Sequence, residues 1–185
     1  MNFAFVFPGQ GSQSVGMMAA YGDSAVIRET FAEASAALGE DLWQMVADGP
    51  AELLAQTVNT QPLMLTAGIA VYREWIARGG AVPALVAGHS LGEYSALVAA
   101  GALDFQDAVK LVRLRAQAMQ EAVPQGEGAM AALLGLDEAQ AVEACAEAAQ
   151  GEVVSAANLN SPGQIVIAGS RAAVERAIVA AKARG

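Results

Sequence analysis

The chain has 185 residues, 55 % of them hydrophobic and 16 % charged, with a net charge of -9. That length suffices for one core or a core and a smaller companion, and so apolar a composition excludes a long disordered tail. The negative balance argues against general affinity for nucleic acid or an anionic membrane, so an acidic partner must find a local basic patch.

In chain order, the N-terminal stretch from Met1 to Gln10 lacks a basic leader, and its apolar part is too short for a signal peptide. "FAFVF", residues 3 to 7, is a continuous apolar run predicted to be a buried strand of a parallel sheet. A polar Gly-rich loop follows, then helices over about 25–38 and 42–48 and a short helix opened by Pro50. "TQPLMLTAGIAVYREWIARGG" predicts a long helix ended by glycines. "PALVAG" predicts a second buried strand, followed by a helix to about Ala100 and another through "DFQDAVKLVRLRAQAMQEAV". This alternation is that of an α/β fold with a parallel sheet.

From Gly126 the pattern changes to strand, helix capped by Asp137, two strands joined by the turn "LNSPG", and a final helix. That β-α-β-β-α order is a split βαβ unit with its last strand missing, which leaves an open sheet edge and favours a fragment of a longer chain. The expected domains are 1-125, a large α/β domain, and 126-185, a small one. No apolar run reaches the ~18 residues that span a bilayer, and a cytoplasmic setting is expected. The single cysteine, Cys145, fits a reducing compartment and reads as a small buried apolar residue.

The chemistry concentrates at "GHSLG", residues 88 to 92, where Ser90 stands between two glycines after a strand and before a helix. A serine on so sharp a turn has a strained backbone, side chains at the ±2 positions would collide, and glycine at both removes the collision. The hydroxyl is then exposed at the positive end of a helix, and the Leu91 N–H becomes an oxyanion donor. The competing reading is a capping box, Ser90-x-x-Glu93, but capping requires neither glycine. His89, the only histidine, is adjacent to Ser90, and neighbouring side chains on a tight turn diverge, so it reads as a packing residue rather than the base. "GQGSQ", from Gly9, follows the first strand, where a second oxyanion donor or an ordinary turn fits equally well; it lacks the third glycine of a dinucleotide fingerprint. Arg115 has Leu111, Val112, Ala118 and Met119 at helical neighbour positions, which turns it toward an apolar face, whereas Arg113 shares a face with Lys110 and Gln117 toward water. An inward arginine needs a partner, and a structural carboxylate and a substrate carboxylate fit equally.

"FVFPGQGSQ", "GHSLGEYSAL", "RLRAQAMQEA" and "NLNSPGQIVIAG" together resemble the malonyl-CoA:acyl carrier protein transacylase family of bacterial fatty acid synthesis, across the whole chain. The resemblance implies an α/β-hydrolase-like parallel sheet with an inserted ferredoxin-like small domain. It implies that Ser90 is acylated, that the Gln10 and Leu91 amides form the oxyanion hole, and that Arg115 holds the malonyl carboxylate. Gln61 and Asn160 fall in matching segments as assisting substrate-binding residues, and Leu91 resembles the malonyl-type rather than methylmalonyl-type relatives. The family's catalytic histidine would lie beyond position 185, so the resemblance implies that a full-length parent carries out the transfer and that the 185-residue piece lacks the general base and is inactive or poorly active alone. Coenzyme A thioester and acyl carrier protein are the implied partners of a monomer with no metal and no cofactor. The alternatives are a serine esterase or thioesterase sharing the G-x-S-x-G pattern, and a truncated, non-catalytic carrier-binding fragment docking through Lys110, Arg113, Arg171, Arg176, Lys182 and Arg184.

Overall fold

The computed structural model describes residues 2–124 and 126–185, which divide into two compact units, one up to Gln120 and one from Glu121. The expected boundary at 125/126 falls on Gln125, which with Met1 lies outside the described residues. The fold is mixed α/β. The first unit holds strands β1 (Ala4–Phe7) and β2 (Leu85–Gly88) and helices α1 (Ala25–Leu38), α2 (Leu42–Asp48), α3 (Ala51–Ala55), α4 (Thr57–Ala77), α5 (Leu91–Ala99) and α6 (Phe105–Glu121, whose last residue enters the second unit). β1 and β2 pair in parallel with Phe7 opposite Gly88, so their C-terminal ends are level and the loops that follow leave the sheet side by side. Ligands of parallel α/β sheets gather at such strand ends.

Helix boundaries follow local chemistry. Ser24 caps α1 by accepting from the Ile27 N–H, and Asp41 caps α2 by accepting from Gln44 N–H at 2.8 Å. The Ser24 hydroxyl also donates to the buried Glu74 carboxylate at 2.6 Å, and Arg78 Nε donates to it at 2.7 Å. The Ser24 and Arg78 hydrogen bonds together hold the Glu74 carboxyl below its ordinary pKa. The core of this unit is fully buried Ile27, Phe31, Leu42, Leu63, Leu65, Ile69 and Val109, contributed by α1, α2, α4 and α6.

Two expectations need correction. α4 begins at Thr57, three residues before the Thr60 that opens the predicted stretch, and Pro62 lies inside the helix. The β1 run is not buried on both faces: Phe3, Phe5 and Phe7 turn one way, Phe5 packing edge-on against Tyr72 of α4 at 5.6 Å, while Val6 and Leu85 on the other face are exposed. Phe5 and Phe7 meet Tyr72 of α4, and because successive side chains of a strand point to opposite faces, Val6 and Leu85 are left facing solvent.

The second unit contains β3 (Gly128–Leu134), α7 (Glu138–Ala149), β4 (Val154–Ser161), β5 (Gln164–Ser170) and α8 (Arg171–Lys182). Its sheet is antiparallel in the order β3-β5-β4. Asp137 and Gln140 close a reciprocal capping box at the start of α7. β4 extends through Leu159, Asn160 and Ser161, which sequence had assigned to the turn; two register shifts let it follow β5 that far, and the turn reduces to Pro162-Gly163. Ile165, Ile167, Ala141, Ala144, Cys145, Val174 and Ala177 form the core of this unit. Burial raises the Cys145 thiol pKa, which makes it the inert packing residue the sequence suggested. Among the described residues no helix is long and apolar enough to cross a membrane.

Candidate active site

Ser90 sits where β2 turns into α5, with φ 51° and ψ -109°, a conformation that non-glycine residues adopt only under constraint. The constraint is the pair of glycines. A Cβ on Gly88 would lie 1.9 Å from the Gly92 carbonyl carbon, and one on Gly92 would lie 2.2 Å from the Phe7 carbonyl oxygen. Both contacts are with backbone, so neither can relax by a rotamer change. Gly88→Ala is therefore expected to cost at least about 3 kcal/mol, read as a fall in Tm or loss of soluble protein; an unchanged Tm would contradict the tightness of this turn.

The capping-box reading fails here. Ser90 makes no side-chain cap hydrogen bond to α5, and its residue is exposed, so the hydroxyl is not spent on the helix. It instead accepts a hydrogen bond from Arg115 Nη2 at 2.9 Å. Gly92 and Glu93 N–H bond the His89 and Ser90 carbonyls, while the Leu91 N–H, first in α5, has no intrahelical acceptor by helix geometry. His89 packs on the loop after β1, since a Cβ on Gly9 would come within 3.0 Å of its carbonyl oxygen and 3.4 Å of its Nδ1. That close approach brings the Gln10 loop against the Ser90 turn.

Arg115, on α6, donates from Nη1 to the Gln61 Oε1 of α4 at 2.8 Å and lies 5.7 Å from the Tyr94 ring centroid of α5. Gln61 is fully buried, and its Nε2 donates to the Met119 sulfur at 3.3 Å. Among the described residues Arg115 forms no ion pair, so the structural carboxylate weighed from sequence is not its partner. Two of the guanidinium's five donors are used by neutral side chains, which leaves three beside the serine oxygen. Ser90, Gln61 and Arg115, from three different helix regions, thus meet within hydrogen-bond distance. Asn160 stands on β4 in the second unit, on the rim of a concavity of about 560 Å³ that also includes Asp137, Glu138 and Gly163.

Sequence reasoning misjudged Arg113. It is largely buried and paired with Glu40, because that partner lies 73 residues away and no local pattern announces it. Arg176 and Arg184 are likewise paired, with Glu152 and Glu147 at 2.6 and 2.7 Å, so three of the six cations considered for docking an acidic partner form ion pairs within the chain. Tyr94 was missed as a neighbour of the site; it lies one helical turn after Ser90, the spacing that would have found it.

A parallel-sheet α/β fold with a strained, glycine-flanked serine, beside an arginine that forms no ion pair among the described residues, has the strand–turn–helix geometry of a nucleophile elbow. The chain belongs to the acyl transferase domain family, whose model matches residues 4–185. It is 63 % identical over 184 residues to the malonyl CoA-acyl carrier protein transacylase of Escherichia coli K12, covering 99 % of this chain and 60 % of that protein. The acyl-carrier-protein S-malonyltransferase of Burkholderia pseudomallei superposes with a TM-score of 0.95 at 62 % identity, over 100 % of this chain and 60 % of that one. A malonyl-transacylase solved in complex with its type II PKS acyl-carrier protein gives a TM-score of 0.95 at 56 % identity, again over 100 % and 60 %. The chain spans about three fifths of the length of these relatives.

Proposed function

We propose that the protein transfers a malonyl group from malonyl-CoA to the phosphopantetheine thiol of acyl carrier protein, through a malonyl ester on Ser90. The observation that carries the reading is the 2.9 Å contact of Arg115 Nη2 with an exposed serine Oγ held at positive φ. In the first half-reaction Ser90 Oγ attacks the thioester carbonyl, and its proton passes in the course of the step to the departing coenzyme A sulfur. The C–S bond then breaks as the tetrahedral oxyanion collapses, and coenzyme A leaves as its thiol. In the second, the carrier thiol attacks the serine ester, the C–O bond breaks, and the Ser90 hydroxyl is restored.

The Leu91 and Gln10 amides receive the oxyanion in both steps. Support comes from the position of Leu91 at the start of α5 and from the contact of the Gln10 loop with the Ser90 turn. Arg115 binds the distal carboxylate of the acyl chain, its side chain oriented by Gln61. Asn160 is retained as an assisting residue on its family segment alone. The reading includes an α/β-hydrolase-like large domain over 1-125 and a ferredoxin-like small domain over 126-185, the latter supported by its β-α-β-β-α order and β3-β5-β4 sheet. It also includes a cytoplasmic monomer acting without a cofactor.

A serine esterase uses the same turn but releases its acyl group to water. Incubated with malonyl-CoA and holo acyl carrier protein, the protein is expected to form malonyl-carrier faster than free malonate. Hydrolysis that outpaces transfer, or turnover of a nitrophenyl ester that exceeds both, would favour the esterase.

A further inference from the structure

We infer that Thr57, the first residue of α4, is a positioning residue that aims the Gln10 amide at the reacting oxygen, and that the first turn of α4 braces the oxyanion loop and the arginine together. The inference rests on the acyl-transfer reading above and assigns a role to a residue that neither chain pattern nor family motif singled out.

Gln10 lies between two glycines. A Cβ on Gly9 would make a tight 3.0 Å contact with the His89 carbonyl oxygen, and Gly11 has φ 107°, which side-chain-bearing residues rarely adopt. A peptide group between two glycines has little intrinsic stiffness, so hydrogen bonds must set its direction. Two are local to the loop: Ser12 Oγ donates to the Gly9 carbonyl at 3.2 Å, and Gly11 N–H donates to Gln13 Oε1 at 2.8 Å. Among the described residues, the hydrogen bond that ties Gln10 to a distant element runs from its Nε2 to Thr57 Oγ1 at 3.1 Å, across 47 positions of sequence.

Thr57 and Gln61 are four residues apart on α4 and therefore share a face. One turn of a single helix thus holds the loop that carries the oxyanion donor and, through Gln61 Oε1, the guanidinium of Arg115. Misplacing a donor by a fraction of an ångström weakens charge stabilisation in the transition state more than ground-state binding. Loss of the Thr57 hydroxyl should consequently slow acylation while leaving malonyl-CoA affinity intact.

The test is single-turnover malonylation of Ser90, with malonyl-CoA binding measured separately by calorimetry, in Thr57→Val, Thr57→Ser, Gln10→Ala and the Thr57→Val/Gln10→Ala double variant. Thr57→Val is nearly isosteric, and a Tm within about 2 °C of the unchanged protein, which corresponds to a fraction of a kcal/mol, confirms an intact fold. We expect about a fivefold slower acylation in Thr57→Val, the loss of one ordinary hydrogen bond, with affinity unchanged. Thr57→Ser should restore the rate, and the double variant should be no slower than the slower single one. An unchanged rate in Thr57→Val, a loss carried by affinity, failure of serine to rescue, or multiplicative losses in the double variant would each overturn the inference while leaving the acyl-transfer reading standing. No malonyl adduct on the unchanged protein would overturn that reading, and this inference with it.

Discussion

Ser90→Ala is expected to reduce malonyl transfer by at least about a thousandfold, the usual consequence of removing the nucleophile from a constellation that acts as a unit. Malonyl-CoA should still bind, because the serine contributes one hydrogen bond to the bound state and Arg115 remains. Deleting Oγ also releases Arg115 Nη2 from its 2.9 Å contact, which frees one further donor for a carboxylate. Binding in Ser90→Ala is therefore expected to equal or exceed that of the unchanged protein. The measurement pairs steady-state transfer to holo acyl carrier protein with calorimetric titration of malonyl-CoA. Near-normal transfer in this variant would mean that the strained turn serves packing rather than chemistry.

Arg115→Ala is the second. On the proposed reading, a guanidinium bonded to Gln61 Oε1 and Ser90 Oγ, with three donors left over, is expected to select an acyl chain that ends in a carboxylate. Two charge-assisted hydrogen bonds contribute about 3 kcal/mol or more, so kcat/KM for malonyl-CoA is expected to fall by at least about a hundredfold. Acetyl-CoA presents no carboxylate, and its slower reaction should change by less than about tenfold. Comparison of the two substrates on the same variant separates loss of substrate binding from damage to the fold, which would lower both. Equal losses with an unchanged Tm would assign Arg115 to support of Ser90 alone. Arg115→Lys is expected to restore little of the preference, since a single ammonium cannot reproduce the planar fork that bonds Gln61 and a carboxylate at once.

The Ser90 turn was legible in sequence because its causes are local. Two glycines, a preceding apolar run and a following helix define it, and the backbone contacts at Gly88 and Gly92 are the collisions that this pattern implies. The placement of Arg115 was half legible: helical spacing showed which neighbours share its face, but its partners Gln61 and Ser90 lie 54 and 25 residues away. Arg113 was misread for the same reason, because Glu40 comes from the segment between α1 and α2 and converts a surface-facing spacing into a buried ion pair. Thr57 escaped notice because it lies before the stretch read as helix and its partner Gln10 is 47 residues away. The apolar β1 run gave the strand correctly and its surroundings wrongly, since alternation of faces is invisible when every residue is hydrophobic.

The most direct test of the central claim is peptide mass mapping after brief mixing of the protein with malonyl-CoA and an acid quench. One malonyl group on Ser90, removed on addition of holo acyl carrier protein, is the result expected. A protein that carries no adduct, or an adduct on any other residue, would contradict it.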